Sequence, residues 1–523
     1  MKIKVKINTS TYYDSVSLLL AARELAKFPG VEDAALVMGT QANKDILKQN
    51  NLYSPEIEPA TPNDLVLVVR TSGDAQAALD QAEKLLHKKP AEESATAFMP
   101  RTIRSAARNQ PEANVAVISV AGRYAAAEAW DALLQGLHVL LFSDNVSLED
   151  EIALKKYAVE HGLLLMGPGA GTAILNGVGF GFANALPTGP VGIVSAAGTG
   201  LQEVSTLLAK NGVGITQGIG TGGRDLKKEV GGLMMLAGLA ALQEDPDTKV
   251  IVLISKPPAQ EIAEKILEQV KKCAKPTVVC LLGSRNTGAA QKNIFFSTTL
   301  EEAALQAARL AGANIPAEAE LFQRQQKEIR RRVEAVRSCL QPSQKFLRGL
   351  FSGGTLCYEA QVIWSELLRK PVLSNAPLEE SRLLADTSRS QGHCAIDLGE
   401  EEFTVGRPHP MIDNDLRMRR ILQEARDPQT AVILLDVVIG YGAHPNPATE
   451  LAAAIQQARQ AAEQEGRSLL FVASITGTRE DAQDLDKTTQ TLEKAGVMVC
   501  ESNAMAAHMT AAIVSLDYWS KNV

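Results

Sequence analysis

Two glycine-threonine turns constrain this chain more than any other feature. One lies in Val191-Gly-Ile-Val-Ser-Ala-Ala-Gly-Thr-Gly200, the other in Gly349-Leu-Phe-Ser-Gly-Gly-Thr-Leu356. Each follows a short apolar run and opens a helical pattern, Leu201–Leu208 after the first and Cys357–Ile363 after the second. A glycine turn between strand and helix leaves backbone N–H groups unpaired and facing outward, where the helix dipole favours an anion. Two such turns, each heading an α/β unit of similar length, suggest a duplicated domain that holds one phosphate or carboxylate between two helix ends.

The flanking sequence repeats in the same order. Asp245-Pro-Asp-Thr-Lys-Val-Ile-Val-Leu-Ile254 matches Asp427-Pro-Gln-Thr-Ala-Val-Ile-Leu-Leu-Asp436, and Lys275–Cys280 aligns with Arg467–Val472. Elsewhere, short apolar runs alternate with helical stretches of 10–15 residues, the mark of parallel, doubly wound sheets. Strands are expected at Ile3–Ile7, Ala34–Met38, Asp64–Arg70, Val115–Val120, His138–Phe142, Leu163–Met166, Lys249–Ile254, Pro276–Leu282, Ala431–Val437 and Ser468–Ser474. Helices are expected at Ser15–Ala26, Asn43–Lys48, Asp74–His87, Arg123–Gln135, Leu148–His161 and Asp481–Ala495. The domain reading is a small α/β domain (1–90), a linker (91–112), a Rossmann-like domain of CoA-binding type (113–188), a first lobe (189–312), a helical linker (313–345) and a second lobe (346–515).

Composition removes several function classes. At 523 residues the chain exceeds a single core. A net charge of −7 and 4% aromatics oppose a nucleic-acid partner, both electrostatically and as a stacking platform. The cluster Arg330-Arg331-Arg332 alternates with glutamates at helical spacing and reads as a solvated connector helix. No run reaches the ~18 apolar residues of a membrane helix, and Met1–Ile7 reads as an edge strand rather than a leader. The six scattered cysteines read as reduced thiols of a cytoplasmic protein, and neither they nor the seven histidines show metal-ligand spacing.

The candidate anion donors are Gly198, Thr199 and Gly200 in the first turn and Gly353, Gly354 and Thr355 in the second. The alternative is that they only start helices. Lys256, at the C-terminal end of an expected parallel strand, offers a point charge for phosphate or carboxylate, or snorkels to solvent before Pro257-Pro258. Arg224 and Asp225 either bind a carboxylate or fix their own loop by an internal salt bridge. His409, between two prolines and near Arg407 and Asp413, is a candidate catalytic group alongside Lys256; His444 follows a strand end. Asp144, Asn145, Glu149 and Asp150 read as a helix start.

At several long strings the chain resembles the FdrA family, built on the succinyl-CoA synthetase plan. They are Leu141–Glu151, Ile219-Gly-Thr-Gly-Gly-Arg-Asp-Leu226, Ser255-Lys-Pro-Pro258, Thr404-Val-Gly-Arg-Pro-His-Pro-Met-Ile-Asp413 and Leu435-Asp-Val-Val-Ile-Gly-Tyr-Gly442. The resemblance implies an α/β fold: a Rossmann-like domain and two tandem flavodoxin-like lobes of synthetase type, preceded by a small α/β domain. Residues 113–312 are similar to the synthetase α-chain and 346–515 to the C-terminal domain of its β-chain. In that enzyme one helix N-terminus from each chain faces a phosphorylated histidine.

The departures from that pattern bear on chemistry. The synthetase histidine string is replaced by Gly283-Ser-Arg-Asn-Thr-Gly-Ala-Ala290, and Lys256 stands where the glutamate that orients the histidine is usual. Ala197 replaces a usual serine, and Gly169-Ala170 a usual Asp-Cys pair. The opening Asn8–Ser15 lacks the glycines that cradle the diphosphate of CoA, and an ATP-grasp domain is missing.

The resemblance therefore implies a subunit of a carbamoyltransferase system acting on oxamate and carbamoyl phosphate in purine or allantoin nitrogen catabolism, working beside other protein subunits. An ATP- and CoA-dependent acyl-CoA synthetase relying on a partner, and a non-catalytic metabolite-binding or assembly subunit, are the alternatives. The expected ligand is a small anionic metabolite, with CoA or nucleotide as the cofactor options and no metal, nucleic acid or membrane.

Overall fold

The computed structural model describes every residue except 1, 12, 14–17, 19–20, 23, 26–27, 50–51, 88–99, 285–292, 405–406, 516 and 522–523. It divides into two compact units: Met1–Met99 with Glu401–His409, and Pro100–Glu400 with Pro410–Val523.

In the first unit, strands β1 (Lys2–Asn8), β2 (Val31–Met38) and β3 (Leu65–Thr71) form an antiparallel sheet in the order β1-β3-β2. The central strand is apolar from Leu65 to Val69 because both of its faces are covered there. Leu65, Leu67 and Val69 pack with Leu25, Leu79 and Ala82. Val66 and Val68, on the alternate face, pack with Leu47, Leu52 and Ile57. Charged β1 lies at the edge, where its lysines discourage pairing with another chain. Much of the helix expected over Ser15–Ala26, and part of the 91–112 linker, lie outside the described residues.

The second unit carries three sheets. Strands β4 (Val115–Ile118), β5 (His138–Leu141) and β6 (Leu165–Met166) form a small parallel sheet. The next sheet has seven strands: β7 (Thr172–Leu175), β8 (Val178–Gly181), β9 (Thr188–Ser195), β10 (Ile215–Gly220), β11 (Val250–Ser255), β12 (Thr277–Leu281) and β13 (Ile294–Phe296), in the order β13-β12-β11-β9-β10-β7-β8. The last has six: β14 (Phe346–Phe351), β15 (Val372–Ser374), β16 (His393–Asp397), β17 (Thr430–Val438), β18 (Leu470–Thr476) and β19 (Val497–Cys500), in the order β15-β16-β14-β17-β18-β19, all parallel. β11 and β17 are buried along their whole length, as strands covered by helices on both faces must be.

The sequence grouping changes in two respects. The β7–β8 hairpin, assigned to 113–188 by sequence, pairs antiparallel with β10 and so completes the following sheet. The segments 113–188, 189–312 and 346–515, apart from Glu401–His409, also close into one body. A single apolar cluster joins Leu201, Val204 and Leu208 of the first lobe to Leu347, Leu356, Ala360 and Trp364 of the second. Buried polar groups cross the same boundary. Glu203 accepts from the Asn503 amide at 3.0 Å and, by a short bond, from Thr476 Oγ1. Glu359 accepts from the Leu300 amide and from Asn503 Nδ2, both at 2.7 Å.

Two outcomes follow from these buried charges. Lys155 Nζ lies 2.9 Å from Glu151 and 2.8 Å from Asp225, all three side chains fully buried. Lys155→Met leaves Asp225 without its cation and Glu151 with Arg224 alone, and should cost about 3–5 kcal/mol, read from urea unfolding. Burial lifts the Glu359 carboxyl to about 8, above its unfolded value. The folded state then retains a proton the unfolded chain has lost. This contribution is complete below the unfolded pKa of about 4.3 and disappears as pH rises through the folded value. Unfolding free energy should therefore fall across that window, and Glu359→Gln should remove up to about 1.4 kcal/mol per pH unit of slope.

Candidate functional site

Each Gly-Thr turn sits where its sheet changes direction. From β9 the chain moves to β10 on one side and later to β11 on the other; from β14 it moves to β15 and β16 on one side and then to β17. The crevice beyond the C-terminal ends of such strands is where open α/β sheets bind ligands. β9 leads into the first tip helix, Gly198–Lys210, and β14 into the second, Gly354–Leu367.

The two tips meet. The Thr355 amide donates to Thr199 Oγ1 at 3.3 Å. A Cβ at Gly353 would lie 2.8 Å from Thr199 Cγ2, and one at Gly200 would lie 3.0 Å from Thr355 Cγ2. Glycine at 200 and 353 is therefore a requirement of the contact, since any side chain would push the helices apart. Thr199 and Thr355 are buried in it, whereas Gly198 and Gly354 are half-buried at its mouth.

Neither helix has a side-chain cap of its own; the N-cap positions are Ala197 and Gly353. At the first turn, Ser195 Oγ accepts from the Ala197 amide at 3.1 Å and donates to the Ala197 carbonyl at 2.7 Å. That leaves the amides of Gly198, Thr199 and Gly200, which the helix itself does not satisfy. The second turn is served differently. Asp436, fully buried, accepts from the amides of Ser352 and Gly353, each at 2.7 Å, and from Ser352 Oγ at 3.0 Å. Arg417 Nη2 stands 3.3 Å from the same carboxylate. An internal anion thus occupies part of the second tip.

Lys256 follows β11 and is half-buried. A Cβ on Gly354 would lie 3.7 Å from its Nζ and 2.5 Å from Asp397 Oδ2, so ammonium and carboxyl both face the opening of the second helix. The Tyr358 ring lies 5.6 Å from Lys256 Nζ. Among the described residues, Lys256 Nζ has no hydrogen-bond or ion-pair partner. Burial raises the Asp397 carboxyl to about 7, with Lys256 pulling it down and Glu400 and Asp436 pushing it up. Burial also raises the Tyr358 phenol to about 12, so it stays neutral.

The structure thus gathers Gly198, Thr199, Gly200, Lys256, Gly353, Gly354 and Thr355 and, within the same unit, commits Arg224 and Asp225 to other contacts. Asp225 is corrected from ligand to structural residue: it is fully buried, binds Lys155, and accepts from the amides of Met234 at 3.2 Å and Met235 at 2.8 Å. Arg224 is likewise committed, to Glu151 at 2.8 Å and to the Val146 carbonyl at 2.8 Å. His409 ends the segment Glu401–His409, which groups with the first unit, whereas the tips belong to the second. His444 contacts Glu450 at 3.3 Å and accepts from the Asn446 amide, which fixes its loop. Ser147 Oγ caps its helix through the Asp150 amide, in keeping with a helix start there. The string that replaces the synthetase histidine begins at Gly283, where a Cβ would lie 3.3 Å from the Tyr358 hydroxyl; residues 285–292 lie outside the described set.

Sequence reasoning missed Asp397 and Asp436. Both lie at or near the C-terminal ends of short apolar runs, Cys394-Ala-Ile-Asp397 and Val432-Ile-Leu-Leu-Asp436, and that placement was the available signal.

"Uncharacterized protein YahF" of Escherichia coli is 44% identical over 505 residues, 96% of this chain and 97% of that protein. The chain belongs to the FdrA family. The family described as CoA-ligase matches residues 350–513 of this FdrA chain. The CoA binding domain matches 188–283, the segment of the first tip, and not the 113–188 to which sequence reasoning assigned it. Residues 1–100 match a domain described as "AllF, heavy metal-associated domain". In this chain that stretch holds no cysteine and one histidine, His87. The succinate–CoA ligase subunit alpha 1 of Archaeoglobus fulgidus is 29% identical over 43% of the chain and 78% of that protein. The sulfoacetate-CoA ligase subunit SauD of Bilophila wadsworthia is 26% identical over 35% and 64%. Among the described residues, no group of three or more His, Cys, Asp or Glu could hold a metal, and no helix is long and apolar enough to cross a membrane.

Gly353→Ala tests the contact between the tips. Its added methyl should strain the contact with Thr199 and cost about 1–3 kcal/mol in a denaturation measurement.

Proposed function

We propose that this FdrA-family chain binds a small phosphate or carboxylate at the paired helix tips and serves as a subunit of a carbamoyltransferase. Carbamoyl phosphate and oxamate are the substrates this reading names. The observation that carries it is the Lys256 ammonium, without an ion-pair partner among the described residues, beside two abutting helix N-termini. Amides and ammonium together suit a dianionic phosphate, and they stabilise charge on phosphate as it leaves the carbamoyl carbon. Transfer of this kind rests on positioning and charge and requires neither a phosphohistidine nor an ATP-grasp domain. Partner subunits of the same pathway supply whatever groups the tips lack.

A second reading, an acyl-CoA ligase that relies on a partner, is favoured by the matches to CoA-ligase and CoA-binding families. Against it stand Lys256 in the place of the orienting glutamate and the absence of histidine from Gly283–Ala290. An ammonium cannot polarise an imidazole as a carboxylate does. A third reading, a metabolite-binding or assembly subunit without chemistry of its own, keeps the same anion site.

Thermal shift with carbamoyl phosphate, phosphate, oxamate, CoA and ATP distinguishes these readings. Carbamoyl phosphate at a hundred times its dissociation constant should stabilise the native chain by about 2.7 kcal/mol, and Lys256→Met should abolish the effect. Thioester formation by the isolated chain with ATP and CoA would reverse the first two readings. A partner complex that transfers carbamoyl at full rate with Lys256→Met would favour the assembly role.

A further inference from the structure

Asp397 ends β16 with its side chain 2% exposed. Its backbone is pinned by Asn375, whose Oδ1 accepts from the Asp397 amide at 2.9 Å and whose Nδ2 donates to the Asp397 carbonyl at 2.9 Å. Oδ1 accepts from the Gly399 amide at 2.9 Å. Among the described residues Oδ2 has no hydrogen-bond donor, and it points at the α-carbon of Gly354, the half-buried residue at the mouth of the tips. Lys256 Nζ faces the same side of Gly354 and, among the described residues, has the Tyr358 ring beside it but no hydrogen-bond or ion-pair partner. A carboxyl oxygen with no donor from the chain, at the mouth of the tips, is open to a partner from outside.

The surrounding charges are few. Lys256 faces Asp397 from the end of β11, Asp436 from β17, and Glu400 from the following loop. Cys357, on the second tip helix, is a buried thiol held neutral by its surroundings. Asp436 is already matched by Arg417 and two amides. Lys256 is then the one cation among these groups for both Asp397 and an incoming anion. Two negative groups sharing one ammonium repel; the conflict disappears if the carboxyl takes up a proton, and Oδ2–H then becomes a donor to the anion.

We propose that anion binding at the paired tips is coupled to uptake of one proton by Asp397, which makes the site a proton-dependent receptor for a fully ionised oxyanion. The coupling is reciprocal, so a bound anion raises the proton affinity of Asp397. Burial has already brought this carboxyl to about 7, so the coupling operates near neutral pH. Below that value the site is pre-protonated and affinity is level. Above it, affinity falls as pH rises, up to tenfold per unit.

This proposal rests on the anion site described under the proposed function, and sulfate titration of the full chain separates the two. Sulfate keeps its charge across pH 6–9, so any pH dependence belongs to the protein. The expected result is a dissociation constant that is flat near pH 6 and rises toward tenfold per unit above pH 7. Asp397→Asn should remove that dependence, and Lys256→Met should abolish binding. Calorimetry on the unaltered chain at pH 8, in two buffers of different ionisation enthalpy, should show close to one proton taken up per sulfate, whether or not the variant folds. Lys256-dependent binding with no pH dependence and no proton uptake would overturn the proposal and leave the anion site standing. An equal pH slope in folded Asp397→Asn would also overturn it. No sulfate binding to the native chain at any pH would remove the anion site and the proposal with it.

Discussion

Two helix N-termini pressed against each other present like partial charges, and this arrangement is unfavourable on its own. Everything around the site answers that problem. The Asp436 carboxylate neutralises the second tip from within the protein, and Arg417 holds that carboxylate in place. The first tip receives no comparable carboxylate; Ser195 attends only to Ala197. The duplicated lobes are therefore served unequally: Asp436 meets the amides of the second tip, while Lys256 and the Asp397 carboxyl stand beside Gly354. The oxyanion proposed for this site would add the negative charge that the first tip lacks.

The abutment persists because the lobes share a core. Leu201, Val204 and Leu208 pack in one cluster with Leu356, Ala360 and Trp364, while Glu203, Glu359 and Asn503 exchange hydrogen bonds across the boundary. Apolar contact supplies non-directional attraction, and the buried polar groups fix the register, since a slip would strand carboxylates away from their donors. Register matters here because the Thr355 amide reaches Thr199 in one alignment of the helices.

The sequence disclosed much of this before any coordinates. Long apolar runs such as Val250–Ile254 and Ala431–Leu435 fall within strands because a parallel strand covered on both faces is largely apolar. The Gly-Thr turns were legible because glycine before a helix has few other uses. The β7–β8 hairpin was not legible: its strands are four residues each, too short to show a period. Asp225 stayed open between ligand and internal salt bridge because its partner Lys155 is 70 residues distant in the chain. Asp397 and Asp436 were passed over because an acidic residue at the end of an apolar run is ordinary in sequence. Only the fold shows that both reach the same helix opening.

The site is written into one continuous polypeptide. In a two-chain design, both dipole ends come together only as fast and as often as subunits collide, and dilution empties the pocket. Here the second lobe reaches the first through residues 313–345 of the same molecule, so closure is an intramolecular event. The half-made receptor of either lobe alone is then not a species that dilution can populate, and the tips stay joined at any protein concentration at which the chain is folded.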